Sequence, residues 1–419
     1  MIKKILIITG WLLSLILMTI HTYENPEQVE KIKNLFTKKK TSIDQIVNAN
    51  IFTIPGNSFL VKFSKKISFN GKSAFAVHER NRVNFDVNLL RIYTQSGLII
   101  KNKKKTKLNL PNNFTEVRNG GIKSIFIYNE NDFGLISSLE NDCYYASIVW
   151  LNKGKEVFKT ACLPNDKIDF NGLGSSHIHK DEKIYLTIGA PEQASSPIRA
   201  LAQDKNSMFG KIIEINYSDL DKIIADQKKY LPVKIFSSGH RNPQGLTKIN
   251  NHIFSVEHGP KGGDELNKIE NNKNYGWPNV SYGIQYNYEK NPKAYTVNHE
   301  TNGFREPIFA LVPSVGISSL NQCPSVLKNY YKKPCLLALS LYGNSLRPGR
   351  SIIIYLLNEK MDQVHSAEQI HLVDENDRLT LRHFITNNKN ELYEDSDGSI
   401  YMTVDNKGIY KINFTNFRD

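Results

Sequence analysis

Cysteine is scarce: four residues in a chain of 419, and no two of them stand as C-x-x-C. A zinc ribbon or a thioredoxin-like redox pair needs that spacing, so neither is supported. Helical periodicity is scarce too. Past the first 50 residues, a single stretch at 218–230 carries it, with Leu220, Ile223 and Ile224 on one face. Nucleic-acid signatures are missing as well. The formal charge of +13 comes mostly from scattered lysines, with short runs at 38–40 and 101–105. Without a recognised motif beside them, such lysines read as solvated surface and no nucleic-acid partner is expected. Attraction to an anionic membrane or cell-surface polymer is the electrostatic reading that remains.

What is present begins with an apolar run. Lys3 and Lys4 precede residues 5–20, which carry no charge. This reads as a secretory signal or a short membrane anchor. No small-residue cleavage site follows at Met18-Thr19-Ile20-His21, which favours an uncleaved anchor. The lysines then stay inside and the remainder is exported, to the periplasm or another extracytoplasmic face of the inner membrane. Residues 21–50 are polar, with Val29, Ile32, Leu35 and Phe36 at helical spacing, and read as a stalk. Cysteine placement agrees with export. Cys143 and Cys162 are nearly equidistant from the turn Asn152-Lys153-Gly154, so a hairpin sets them face to face for a disulfide. Cys323 and Cys335 stand as a second bridge across a short loop.

From residue 51 to 419 the text is short β-like runs between Asn, Gly, Lys and Asp turns. Related strand phrases recur at 183–189, 252–259, 335–343 and 399–405. Pattern alone therefore predicts an all-β chain of repeated units, and a closed ring of such units is a β-propeller. The last strand, 408–414, closes it against an N-terminal strand. The stretch at 237–278 differs from its Lys/Asn/Ile-rich surroundings. Gly239, Gly245, Gly259, Gly262, Gly263 and Gly276 gather around His240, Arg241 and Asn242. A strand at 252–257 between two glycine-rich loops is how a β-scaffold presents a site. His240 reads as packing beneath its loop rather than as a base.

Three motifs in that stretch carry a family resemblance: His240-Arg241-Asn242-Pro243-Gln244-Gly245-Leu246, Glu257 to Glu265, and Asn274-Tyr275-Gly276-Trp277-Pro278. They resemble the glucose/sorbosone dehydrogenase family, whose best-known members are soluble aldose sugar dehydrogenases using pyrroloquinoline quinone (PQQ). Ala202-Gln203-Asp204 and Gly210-Lys211-Ile212 fit the same pattern. The resemblance implies a six-bladed β-propeller and a small sugar or polyol as substrate. It also implies that Arg241 and Asn242 hold the quinone oxygens, a task for which a fixed fork of donors is suited. Calcium is implied on the carbonyls of Gly259 and Pro260, and a further calcium at Glu265 and the Tyr275 carbonyl; a hard cation takes such oxygens. Asp264 and Glu265 read equally as surface charges.

Departures from the family pattern matter as much. Where the family has its proton-accepting histidine, this chain has Asn171, and a neutral amide is no general base near pH 7. His177 and His179 stand close by as alternatives. Cofactor-binding positions of the family fall on Asn119, on Tyr342, and on Asn388-Lys389-Asn390 ahead of Asp397-Gly398, with Lys389, Arg378 or Arg382 as compensating cations. Three readings follow: an exported PQQ-type sugar or polyol dehydrogenase; a non-catalytic, calcium-stabilised carbohydrate-binding envelope propeller; or a calcium-dependent lactonase-like hydrolase. For the third, no convergent ligand set can be assembled.

Overall fold

The β-branched and aromatic runs do form strands in the computed structural model of the chain. It describes residues 51–55, 59–81, 83–165, 167–192, 196–284, 298–341, 350–371 and 379–416. The expected anchor and stalk at 1–50, and also Tyr342 and Arg378, lie outside the described residues. Among the described residues, no helix is long and apolar enough to cross a membrane. The chain divides at Phe52/Thr53, and the architecture below belongs to Thr53–Asp419.

Many strands are joined by two-residue turns with both residues left-handed: Asn102-Lys103, Asn129-Glu130, Asn141-Asp142 and Asp181-Glu182. Asn and Asp tolerate that conformation, and it matches the twist of the flanking strands. The hairpins assemble into six antiparallel sheets. The first strands of the sheets are Ser73–His78, Ile122–Tyr128, His177–Lys180, Pro243–Ile249, Ile317–Gln322 and Leu381–Phe384. They pack against one another around an axis as the inner strands of blades 1 to 6. The ring is closed as the sequence suggests. Gly408–Asn416 of blade 6 pairs antiparallel with Phe59–Ile67, in register from Phe59↔Asn416 to Ile67↔Ile409. The free edge of each inner strand is left facing the channel, short and protected within the ring.

Apolar side chains fill the spaces between blades. Phe126, Phe133 and Ile148 of blade 2 meet Ile184, Leu186 and Ile213 of blade 3, all fully buried. Both disulfides form, Cys143–Cys162 and Cys323–Cys335, and none of the four cysteines is free. The helix expected at 218–230 is Tyr217–Ile224 and does sit between two strands of blade 3. It stops early because its apolar face ends at Ile224 and Asp226 turns left-handed, held by Lys153 and Lys155. A second helix, Ser325–Tyr331, occupies the loop spanned by the Cys323–Cys335 bridge.

Candidate functional site

The inner strands run the same way about the axis, so their N-terminal ends share one mouth of the central channel. Phe75, Ser124, His177, Gln244, Ser319 and His383, one per inner strand, line the channel. Arg241 and Asn242 stand at the start of the blade 4 inner strand, and glycine sets their surroundings. A side chain on Gly259 would put its Cβ 2.1 Å from the Gly263 carbonyl, and Gly263 itself needs φ of 73°. Only glycine lets the loop between 257 and 264 fold back so tightly on itself.

Buried carboxyl groups hold this loop. Asp264, 1% exposed, accepts from the N–H groups of Gly259, Val315, Gly316 and Ile317, tying blade 4 to blade 5. Glu265 is buried as well, so neither is a surface charge. Glu257 accepts from the Arg241 N–H (2.7 Å) and from Asn267 Nδ2 (2.9 Å), and lies 3.2 Å from His240 Nδ1. His240 is fully buried beneath the loop, stacked on Tyr275 and bonded to Ser237. It is out of reach of a substrate.

Arg241 is the centre of the mouth. Its Nη1 donates to the carbonyls of His258 (3.1 Å) and Gly259 (2.8 Å), and its Nε lies 3.4 Å from Glu192 Oε1. Its guanidinium carbon sits 5.2 Å from the centre of the Trp277 ring. Burial raises the Glu192 carboxyl to about 7, against the opposing pull of Arg241 and Arg199. Glu192 Oε2 and His258 Nε2 are buried without a hydrogen-bond partner. Asn242, also buried, faces His258 through Nδ2 and Nδ1 at 3.3 Å. Unsatisfied buried polar atoms are costly, and their gathering around a half-buried guanidinium suits a polar, oxygen-rich ligand.

The Asn171 turn packs against this loop: the Arg241 carbonyl accepts from Ala190 N–H (2.7 Å), and Gly189 N–H donates to the Leu173 carbonyl. Asn171 is exposed, its N–H capped by Asp169 Oδ1, which also accepts from Asn119 Nδ2 (3.0 Å). Asn119, Asn171, Arg241 and Asn242 thus share one end of the channel. His177 and His179 do not replace a mouth-side base. His177 is buried in the channel against Phe75, and burial holds it well below its ordinary value. His179 points to Tyr217 and is lowered to about 4, chiefly by burial.

Lys389, expected as a cofactor contact, stands at the other end of the channel, beside Lys248, Gln322 and Lys328. Asn388, Lys389 and Asn390 lie on a turn at the C-terminal ends of the inner strands. Neighbouring Glu391 pairs with Lys248, near the end of the blade 4 inner strand, and Asn388 reaches Arg91. Asn390 plugs the channel from that side, donating to the His177 carbonyl at 2.6 Å. Arg382, at the start of the blade 6 inner strand, is the cation at the mouth, paired with Asp405 through Nε at 3.1 Å. Two mouth residues were missed from sequence, Glu192 and Lys123. Lys123 had a signal: it is the one charge in the apolar strand Ile122-Lys123-Ser124-Ile125-Phe126-Ile127.

The implied calcium ligands are occupied differently. The Gly259 carbonyl already accepts from a guanidinium on one of its two lone pairs. Glu265 is bonded to Asn267 and lies 3.5 Å from His299 Nε2. Among the described residues, no group of three or more His, Cys, Asp or Glu could hold a metal.

Comparison with known proteins agrees with this geometry. The family described as Glucose / Sorbosone dehydrogenase matches residues 151–410. The aldose sugar dehydrogenase YliI of Escherichia coli K12 is 34% identical over 169 residues, covering 39% of this chain and 44% of that protein. Quinoprotein glucose dehydrogenase B of Acinetobacter calcoaceticus is 35% identical over 144 residues, covering 30% of this chain and 29% of that one. The chain therefore matches less than half the length of either relative. The solved PQQ-bound aldose sugar dehydrogenase of Streptomyces coelicolor superposes with a TM-score of 0.51 at 17% identity, covering 81% of this chain and 98% of that one. At that identity the likeness concerns the fold.

Proposed function

Since the chain belongs to the glucose/sorbosone dehydrogenase family, we propose that it is an exported quinoprotein that binds PQQ at the Arg241 mouth and oxidises a sugar or polyol. The observation that carries the reading is Arg241 beside buried Asn242, with unpaired Glu192 and His258 atoms around them. PQQ, when bound, supplies the two-electron acceptor. Arg241 and Asn242 offer donors for its quinone oxygens, and Arg382 places positive charge at the same mouth for its carboxylates. Asn119, bonded to Asp169 beside the Asn171 turn, is proposed as a further cofactor contact. Calcium on the carbonyls of Gly259, Pro260 and Tyr275 and on Glu265 belongs to the same proposal, and no step of this reading depends on it. The two disulfides support an oxidising, extracytoplasmic location; residues 1–20 remain the proposed export signal or inner-membrane anchor.

Asn171 favours a second reading, a carbohydrate-binding propeller without turnover. A titration of the purified full-length chain with PQQ, followed by absorbance and melting together, separates the two. Micromolar binding with a raised melting temperature is expected, and Asn171→His is then expected to raise sugar oxidation. A flat response to PQQ, with and without added calcium, sinks the quinoprotein reading and leaves the second.

A further inference from the structure

The same end of the channel contains a buried amine that this reading leaves without a role. Lys123, the second residue of the blade 2 inner strand, is 7% exposed and has no carboxylate partner. Its Nζ donates to the carbonyls of Asn119 (2.7 Å) and Gly120 (3.4 Å). The charged groups facing it come from three other blades: Lys72 before blade 1, Asp169 before blade 3, and Arg382 of blade 6. Asp169 in turn binds both Asn119 Nδ2 and the Asn171 N–H. The amine is thus linked through Asn119 and Asp169 to the turn where the expected proton acceptor is replaced by an amide.

Lys211 shows what a structural lysine looks like in this fold. It is buried too, but its Nζ donates to three carbonyls, Leu201, Ala202 and Phe209, at 2.8–2.9 Å. Three acceptors satisfy an ammonium. Lys123 has two, which satisfy both hydrogens of a neutral amine and leave its lone pair free. Burial, aided by Arg382 and Lys72 and opposed by Asp169, lowers Lys123 to about 7. A general base is most effective with its pKa near the working pH.

We propose that Lys123 is the proton acceptor of this site. The proposal rests on the quinoprotein reading above. As the substrate's C–H bond breaks, hydride passes to the quinone, which is reduced; the hydroxyl proton passes to Lys123 Nζ, and the carbon–oxygen double bond forms. The ammonium then returns its proton to solvent.

Lys123→Arg tests this, because arginine keeps donors for both carbonyls but gives up no proton near neutral pH. With PQQ bound, sugar oxidation is expected to fall about 10²- to 10⁴-fold in kcat. PQQ affinity should stay within about threefold, and the acid limb near pH 7 should disappear from the rate profile. Small primary amines should restore part of the rate to Lys123→Ala. A readout independent of turnover is the NMR titration of the ε-amine, assigned by its absence in Lys123→Arg, which should titrate near 7. An amine titrating near its ordinary value of about 10.4 overturns the role, as does Lys123→Arg with kcat within about twofold of wild type. Failure of the wild-type chain to bind PQQ is a different result: it removes the quinoprotein reading, and this role with it.

Discussion

The two ends of the channel are built from the same six inner strands and both carry charge, yet they differ in how that charge is satisfied. At the Arg241 end, Glu257, Asp264 and Lys123 are buried, and Glu192 and His258 keep unpaired buried atoms. At the other end, Lys248 pairs with half-exposed Glu391, Lys328 with Gln322, and Asn390 with a backbone carbonyl, while an unpaired buried atom there, His179 Nε2, belongs to an imidazole that burial keeps neutral. Charge in water-facing pairs is cheap and ordinary. Charge kept buried and incompletely paired costs stability, and a fold retains it where a ligand completes it. The comparison teaches that the site is marked by charged groups buried without full pairing, not by the amount of charge.

The sharpest way to break that comparison is at Glu257. Replacing it by leucine leaves the Arg241 N–H without an acceptor inside the protein, takes one of two acceptors from Asn267 Nδ2, which keeps Glu265, and removes the partner of His240 Nδ1. The expected loss is about 3–5 kcal/mol of unfolding free energy, measured in urea. A loss below about 1 kcal/mol would show that the Arg241 loop is not held by this carboxyl group, and the contrast between the ends would fail.

Much of this was legible in the sequence where the cause is local. The strand at 252–257 has the bounds expected of it, because turn residues and apolar alternation sit on either side. The Cys143–Cys162 bridge followed from hairpin symmetry, and the last strand closes the ring against an N-terminal strand as expected. The number of blades came through the family resemblance rather than from periodicity. Lys123 and Glu192 escaped notice because each is a single charge in unremarkable text; only closure of the ring sets them beside blades distant in sequence. The place of Lys389 along the channel was hidden for the same reason. Counting residues back from Asp397-Gly398 crosses the turn at 387–392, while the position of a side chain along the channel follows the inner strand, which places Arg382 at the Arg241 end.

A smaller effect is expected from pH. Glu192 holds its proton more tightly in the folded chain, to about 7 against an ordinary 4.5. A raised carboxyl group means that the folded state binds more protons between those values, so its stability falls as pH rises from about 4.5 to 7 and levels off above. Glu192→Gln removes that titration. The variant should match wild type near pH 4.5 and gain on it by on the order of 2–3 kcal/mol by pH 8. A difference that stays flat from pH 4.5 to 8 would mean that Arg241 satisfies Glu192 fully, and the mouth would then resemble the far end.

The smallest effect belongs to the far end itself. Lys248 Nζ donates to the His179 carbonyl at 2.7 Å and lies 3.5 Å from Glu391, whose side chain is 47% exposed. An ion pair that open to solvent gains little Coulomb energy and is screened by salt. Lys248→Ala should therefore cost under about 1 kcal/mol, less still in high salt, with water replacing the ammonium at the His179 carbonyl. PQQ affinity at the Arg241 mouth should not move. If Lys248→Ala instead cost as much as Glu257→Leu, the far end would be a second strained centre. Incompletely paired buried charge would then cease to single out the Arg241 mouth as the place where a ligand completes the fold.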